Sequence, residues 1–472
     1  MSHLESIEAA ALAAGAAAGD FAASSAAARA RLLRALADAL EAGRESLVPL
    51  ADRETGLGLP RLGGELDRTA FQLRGFAAQL ERGAAHRVED DPAVAGAPPA
   101  GRPRLTRVRV PLGPVAMFAA SNFPFAFSVL GGDTASALAA GCPVVVKAHP
   151  AHPMLSRRTA ELAQRVALQQ AWPEGVFQFV EGASIETGVR LVQAPGIAAV
   201  AFTGSFRGGM ALADVAARRP RPIPFFGELG STNPLIVLPA LLARDAEGPA
   251  ATLAQSICQG SGQFCTSPGV IVVPVGSEGD VFVSALAKAL CAQSPHRMLT
   301  EGIRGAFDRG VSAWAESPSV HALLAPPHRD AAVPGPFLGE VAANDFVADG
   351  SLHEEVFGPG ALVVRVGSHN QAIEVLQAIG GSLTVTLWGV EVEGEAARAL
   401  VRAASRIAGR VLFAGVPTGV AVTGAQQHGG PFPASTQPWS TSVGYAAMDR
   451  FLRPVALQDA PAWVLARQGV PC

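Results

Sequence analysis

The sequence predicts an α/β protein organised on mostly parallel sheets. From residue 114 onward, short apolar runs (PVAMFAA, CPVVVKAHP, VFQFVEG, IAAVAFTG) alternate with helical stretches, which is the spacing of βαβ units. A second series, STNPLIVLP and GVIVVPVGS with helices between, begins after Gly230. The length of 472 residues, 49% hydrophobic and only 16% charged, is enough for two or three domains with real cores.

In chain order, residues 8–51 form an alanine-rich helical region in which Leu32, Leu33, Leu36 and Leu40 recur at helical spacing. A further helix follows Gly and Pro punctuation, with Phe71, Leu73, Phe76 and Leu80 as its apolar side. The polar, Pro-rich stretch 88–103 leads into TRVRVPLG, which alternates like a half-exposed strand. The longest uncharged run, 110–132, has the length of a membrane span. Its three prolines, three glycines and Asn122 fit a strand, a turn and a helix better. FSVLGGDTASALAAG then reads as a helix ending on Gly141, and SRRTAELAQRVALQQA and SIETGVRLVQA as two more helices. Residues 295–345 are weakly periodic and read as mixed loops and helices. LTVTLWG and GRVLFAGVP are strands, HGGPFPASTQPWSTSVG is a turn-rich tail that either covers a pocket or packs, and FLRPVALQDAP is an edge strand suited to TRVRV or to a second subunit.

The formal charge of -3 and the lack of a long basic run argue against a nucleic-acid partner. Five cysteines, an odd number without a signal-peptide pattern, point to a reducing, cytoplasmic setting rather than a disulfide framework. No HExxH or metal-spaced Cys/His cluster, no G-x-S-x-G elbow, no Walker A and no convincing G-x-G-x-x-G occurs, so no metal is expected.

Candidate chemistry gathers between residues 225 and 273. FFGELGSTNP contains Glu228 and GSGQFCTSP contains Cys265, a candidate base and a candidate nucleophile. The glycine-rich setting suits the start of a short helix whose N–H groups receive an oxyanion; buried packing is the other reading of a cysteine. Four further features have two readings each. Asn122 is a helix cap or an oxyanion donor, and Lys147 reaches solvent or a ligand. FTGSFRGG, with Gly204, Ser205 and Gly209, is a phosphate-binding helix start or an ordinary turn. EEVFGP, with Glu355 and Phe357, is a solvated loop or a cleft wall.

In combination, SNFPF, PVVVKAHP, FTGSFRGG, FFGELGSTNP, GQFCTSP and EEVFGP resemble the aldehyde dehydrogenase superfamily across essentially the whole chain. QLRGFA, KAHPAHP, LTVTLWG, VLFAGVPTGVAV, HGGPFP and FLRPVALQD are similar to its branch acting on 2-oxoglutarate semialdehyde (2,5-dioxovalerate), which also contains NADP-dependent fatty-aldehyde enzymes. The resemblance implies a Rossmann-like cofactor domain over 1–228, with 100–112 joining a bridging sheet. It further implies a catalytic domain over 229–440, a return to the bridge over 441–472, and a homo-oligomer, dimer or tetramer. It makes Cys265 the nucleophile, Asn122 with the Cys265 N–H the oxyanion donors, and Glu228 the base for thioester hydrolysis. Lys147 would hold the adenosine ribose, Ser205 the pyrophosphate, and Glu355 with Phe357 the nicotinamide ribose and ring, while Gly204 and Gly209 let the cofactor lie close.

One departure bears on the cofactor. Where NAD-preferring members commonly carry a glutamate, this chain has Pro150, which implies NADP, with NAD also possible. Phe123, Phe125, Phe432 and Trp439 are expected to line an apolar aldehyde pocket, and Arg68, Arg74 and Arg410 are candidates to meet a substrate carboxylate. The alternatives are a medium- or long-chain fatty-aldehyde enzyme, a CoA-acylating or phosphorylating dehydrogenase, and a non-catalytic structural protein on the same fold.

Overall fold

The computed structural model describes residues 3–84, 87–294, 296–325 and 332–467; Cys472 lies outside them. The helical region expected over 8–51 is three helices, His3–Ala23, Ala26–Ala42 and Arg44–Thr55. Ser25 starts the second by accepting the Ala28 N–H, and Gly56 at φ 64 closes the third. The next helix, Leu59–Glu81, buries Leu62, Leu66, Leu73, Phe76 and Leu80. Phe71 is 56% exposed, contrary to expectation. Residues two positions apart on a helix are about 200° apart around its axis, so Phe71 and Leu73 cannot share a face.

Fifteen strands are described: β1 Glu89–Asp91, β2 Leu105–Pro111, β3 Val115–Phe118, β4 Val144–Lys147, β5 Phe177–Val180, β6 Ala199–Thr203, β7 Phe225–Glu228, β8 Leu235–Val237, β9 Val270–Pro274, β10 His321–Leu324, β11 Phe337–Ala342, β12 Gly360–Val366, β13 Ser382–Trp388, β14 Ala408–Leu412 and β15 Leu452–Gln458. They form three sheets. One is wholly parallel, in the order β5-β4-β3-β6-β7. The second, β10-β11-β12-β9-β8-β13-β14, is parallel except for its antiparallel edge strand β10. The third, β1-β2-β15, is a small antiparallel bridge in which Arg453 pairs with Val110 and Gln458 with Leu105. The edge strand at the end of the sequence therefore does return to TRVRV.

The parallel strands are uninterrupted apolar runs because both their faces are covered, leaving no solvent face to alternate with. All four residues of β3, and three of the four in β4, are buried. The 110–132 run resolves into the end of β2, then β3, turns, and the start of a helix at Gly132. No helix among the described residues is long and apolar enough to cross a membrane. Between residues 295 and 345 the structure is more regular than expected. Helix Glu301–Glu316 buries Phe307, Val311 and Trp314, and β10 and β11 follow it.

In the five-stranded sheet the chain order reverses between β3 and β6. Such a switch point opens a crevice at the carboxyl ends of the strands, where open parallel sheets bind ligands. Lys147 ends β4, Gly204 and Ser205 follow β6, Glu228 ends β7, and the loop carrying Asn122 leaves β3.

Candidate active site

Cys265 sits in a turn between a short helical run, Gln259–Gly262, and β9, rather than at a helix start. Gly260, Ser261 and Gly262 have φ 58, 55 and 67, three left-handed residues in succession. Glycine adopts this freely and serine does not. Ser261 is held there by its hydroxyl, which donates to His296 O and accepts the His296 N–H at 2.8 Å. A side chain at Gly262 would strike the Gly358 backbone, so the loop lies directly on the turn after Glu355 and Phe357.

Asn233 fixes the other side of the turn. Its amide donates to Cys265 O at 2.8 Å and Ser267 O at 3.0 Å, while its carbonyl accepts from the Ser231 and Thr384 hydroxyls at 2.9 and 3.1 Å. The sequence reading placed Asn233 only at a strand entrance. Its signal was a polar Ser-Thr-Asn run directly before a buried strand.

Asn122 reaches the same loop, its amide donating to Gln263 O at 3.0 Å. One N–H thus fixes the side chain, and the amide carries a second donor. The Asn122 carbonyl accepts from Arg61 Nη2 at 2.7 Å, and buried Glu65 accepts the Phe125 and Ala126 N–H groups at 2.8 and 3.0 Å. Helix Leu59–Glu81 therefore grips this loop at both ends. Burial raises the Glu65 carboxyl to about 7, against the opposing pull of the two amides and of Arg61 and Arg68.

Glu228 is buried where β7 ends. Its Oε2 accepts the Ser442 hydroxyl, and its Oε1 lies 3.0 Å from His428 Nε2, without an aligned hydrogen bond. Burial works to raise its carboxyl, but His428, Ser442 and Arg450 outweigh it and hold the group below the usual carboxylate range. The same His428 Nε2 is 3.5 Å from Cys265 Sγ, and the ligating atoms of Glu228, Cys265 and His428 all lie within 4.8 Å of one another. A thiol, an imidazole and a carboxylate at this spacing also have the composition of a thiophilic cation site. Burial first, then the Glu228 and Glu355 carboxylates, push the Cys265 thiol well above its ordinary value. The resting group is a thiol beside an ionised carboxylate. His428, wholly buried, is part of the centre.

The remaining residues fall on two sides of this centre. Glu355 receives the Ser231 N–H, burial raises it to about 8, and a side chain at Gly230 would collide with its Oε2. Phe357 borders the same recess with Phe264 and Thr232. Across the switch point, Ser205 caps helix Phe206–Ala217 by accepting the Gly208 N–H at 3.3 Å and is exposed. Gly204 and Gly209 both face the Phe202 ring, and Gly209 also faces Leu229. Their smallness serves close packing of helix on sheet. Lys147 is half-buried, and desolvation lowers its ammonium. Pro150 is exposed beside it. The histidines of this turn supply no positive charge. Burial, His152 and Lys147 hold His149 down to about 3, and buried His152 spans Ser156 Oγ and Ala120 O at 3.0 Å each.

The expected substrate lining is only partly assembled. Phe123 meets Phe264, the neighbour of Cys265, edge-on at 5.1 Å, and Phe127 at 5.3 Å. Phe125, in contrast, is a core residue. Phe432, 57% exposed, packs on Phe206 at the dinucleotide side, and Trp439, 77% exposed, borders a groove with Leu112, Pro224 and Phe226. Both are displaced because the tail strap turns at Ser435, which bridges to Glu228, so only the segment around His428 faces the centre. Of the three arginines, Arg74 is spent on surface pairs with Asp38 and Glu41, whereas Arg68 and Arg410 are within electrostatic reach of Cys265. The four described cysteines are free, and burial pushes Cys258 up to about 12.

A sequence model of the aldehyde dehydrogenase family matches residues 1–299. Alpha-ketoglutaric semialdehyde dehydrogenase 2 of Azospirillum brasilense is 44% identical over 436 residues, 92% of this chain and 83% of that protein. The alpha-ketoglutaric semialdehyde dehydrogenase of Acinetobacter baylyi is 40% identical over 91% of this chain and 82% of its own. Among solved structures, an NAD-dependent aldehyde dehydrogenase from Sinorhizobium meliloti matches with a TM-score of 0.79 at 25% identity, covering 97% of this chain and 88% of that one. Proline utilization A of Bradyrhizobium japonicum matches with a TM-score of 0.81 at 24% identity over 96% of this chain, which spans 45% of that longer protein and shares its fold.

Proposed function

We propose, from the premise that this chain belongs to the aldehyde dehydrogenase family, that it oxidises 2,5-dioxovalerate to 2-oxoglutarate with NADP. The observation that carries the chemistry is the convergence of Cys265, Glu228 and His428 within 4.8 Å, beside a loop tethered to the Asn122 amide. The two long relatives named for alpha-ketoglutaric semialdehyde supply the substrate.

The switch-point crevice fits a dinucleotide. It offers an exposed helix start at Ser205, Lys147 at the end of β4, and Glu355 and Phe357 on the catalytic side. Exposed Pro150 itself brings no carboxylate to repel a 2′-phosphate, and Lys147 supplies positive charge. When bound, the nicotinamide supplies the hydride acceptor.

The chain's own residues do the rest. The Cys265 sulfur bonds to the aldehyde carbon as the thiol proton is released to solvent, while the Glu228 carboxyl, held low beside it, stays ionised. The oxyanion that forms takes the second Asn122 N–H and the Cys265 backbone N–H. Hydride loss from the tetrahedral carbon leaves a thioester on Cys265. The ionised Glu228 then takes a proton from water as the water oxygen attacks the acyl carbon; the C–S bond breaks, the leaving sulfur takes that proton back from Glu228 to restore the thiol, and the released acid ionises to the carboxylate. His428, in reach of both groups, is placed to hold Glu228 ionised and oriented. The open outer edge of β15 is the surface on which a second copy would extend the bridge.

Measuring kcat/KM for 2,5-dioxovalerate, succinate semialdehyde, hexanal and decanal with NADP and with NAD tests this reading. The semialdehydes are expected to lead. Values that climb with alkyl length above both semialdehydes would replace it with fatty-aldehyde oxidation.

A further inference from the structure

Three guanidiniums near the catalytic turn are spent on backbone carbonyls instead of carboxylates. Arg61 donates to Asn122 O, Arg68 to Val420 O, and Arg410 to Pro417 O at 2.6 Å and Gly419 O at 3.1 Å. Each also keeps one buried nitrogen without an acceptor: Arg61 Nη1, Arg68 Nε and Arg410 Nε. The chain's surface arginines behave differently, as in Arg74 with Glu41 and Arg157 with Glu181. Removing a charge from water without an opposite charge is costly, and an unmet donor on it adds to the cost. Glu65 lies within electrostatic reach of Arg61 and Arg68 but hydrogen-bonds neither, so an anion that meets the guanidinium directly is the partner still missing.

The three differ in what they have left to give. Arg61 is sandwiched against the Phe123 and Phe264 rings, 5.3 and 5.0 Å from their centres, and serves the Asn122 loop. Arg410 holds the 417–419 carbonyls with both terminal nitrogens. Arg68 commits only Nη1, and does so to Val420 of that same loop. Val420 packs on the apolar cluster that includes Phe127, Ala120 and Phe123, and Phe123 in turn meets Phe264 beside Cys265. The Arg68 side chain is half-buried beside this cluster, and Cys265 is within its electrostatic reach.

We propose that Arg68 is the anchor for the distal carboxylate of the aldehyde, with Arg410 positioning the 417–420 loop that holds it. This rests on the aldehyde-oxidising reading of Cys265. An apolar wall with one planar cation at its edge suits a short chain carrying an aldehyde at one end and a carboxylate at the other, because a guanidinium fork matches a carboxylate in shape and charge. Among the described residues no carboxylate competes for it by hydrogen bond, since Glu65, one helical turn earlier, accepts two backbone amides instead.

The test compares kcat/KM for 2,5-dioxovalerate and for pentanal, equal in carbon number, in the wild type, Arg68→Met and Arg68→Lys. In Arg68→Met the ratio of the two constants is expected to fall roughly 10- to 100-fold, chiefly through KM, with partial recovery in Arg68→Lys. A second readout avoids turnover: 2-oxoglutarate should protect Cys265 of the wild type from iodoacetamide and fail to protect Arg68→Met. An equal loss on both aldehydes with protection retained would make Arg68 a staple for Val420 and overturn the anchor alone. A wild type that uses pentanal as well as 2,5-dioxovalerate and gains no protection would overturn the substrate reading and the anchor together.

Discussion

Glu65 offers a test of how the oxyanion loop is held, because its two roles separate under two substitutions. Glu65→Ala leaves the Phe125 and Ala126 N–H groups, now satisfied at 2.8 and 3.0 Å, without an acceptor. At about 1–3 kcal/mol for each buried unmet donor, the loss of stability should be roughly 2–6 kcal/mol. Glu65→Gln keeps an acceptor oxygen but cannot ionise. Burial raises the wild-type carboxyl from 4.5 to about 7, so between those pH values the folded state binds more protons than the unfolded state. Stability from this group is therefore full below pH 4.5 and is lost as pH rises through 7, by about 3 kcal/mol in all. Urea unfolding at pH 5 and pH 8 should show Glu65→Gln gaining on the wild type at the higher pH, while Glu65→Ala is weaker at both. Because the same loop carries Asn122, Glu65→Ala should also lower kcat with little change in dinucleotide Kd. A cost for Glu65→Ala under about 1 kcal/mol with kcat intact, or a Glu65→Gln variant that tracks the wild type at both pH values, would refute the argument.

Cys265→Ser should reduce aldehyde oxidation to background with dinucleotide binding retained, and limiting alkylation mapped by mass should mark Cys265 before Cys258; dominant modification of Cys265 with activity retained would contradict its role as nucleophile. Glu228→Gln should give a rapid-mixing burst of reduced dinucleotide near one per active site, followed by a steady rate roughly 100- to 10,000-fold slower. A missing burst with normal dinucleotide binding would place Glu228 in the first step and contradict its assignment as the base for thioester hydrolysis. Pro150→Glu should shift the NADP-to-NAD ratio of kcat/KM roughly tenfold toward NAD through weaker NADP binding; equal or better use of NAD by the wild type would remove the preference.

The parallel sheets were legible because their signal is local. Strands such as PVVVK and AVAFT are continuous apolar runs closed by a charged residue or glycine, and that pattern places Lys147 and Ser205 at strand ends without any tertiary information. Cys265 and Glu228 were legible through their glycine-rich settings. The helix start proposed for Cys265 was not, because three left-handed residues at 260–262 replace a helical turn there, and Ser261 adopts that conformation only through its bonds to residue 296, far along the chain. Phe432 and Trp439 failed for a related reason. An aromatic in a turn-rich tail carries no period to say which way it faces, and here the strap turns them away.

His428 and Glu65 are the instructive cases. His428 is 163 residues from Cys265, and a single histidine between glutamines and glycines has no periodicity to place it; only the closing of the tail across β7 brings it to the sulfur. Glu65 did leave a trace. Leu62, Leu66, Thr69, Leu73 and Phe76 form the buried stripe of helix Leu59–Glu81, and position 65 lies on that stripe, three residues after Leu62 and four before Thr69. A carboxylate on an apolar stripe must meet donors or stay protonated, and Glu65 does both in part. Arg61 and Arg68 lie four before and three after it on the same side. One helix thus delivers to the active-site loops a cation for the Asn122 carbonyl, an acceptor for the next two free amides, and a guanidinium at the substrate wall. The charged residues that interrupt its apolar face are the ones that do chemistry-related work, which is why a helix that reads as packing is also the element that shapes the pocket.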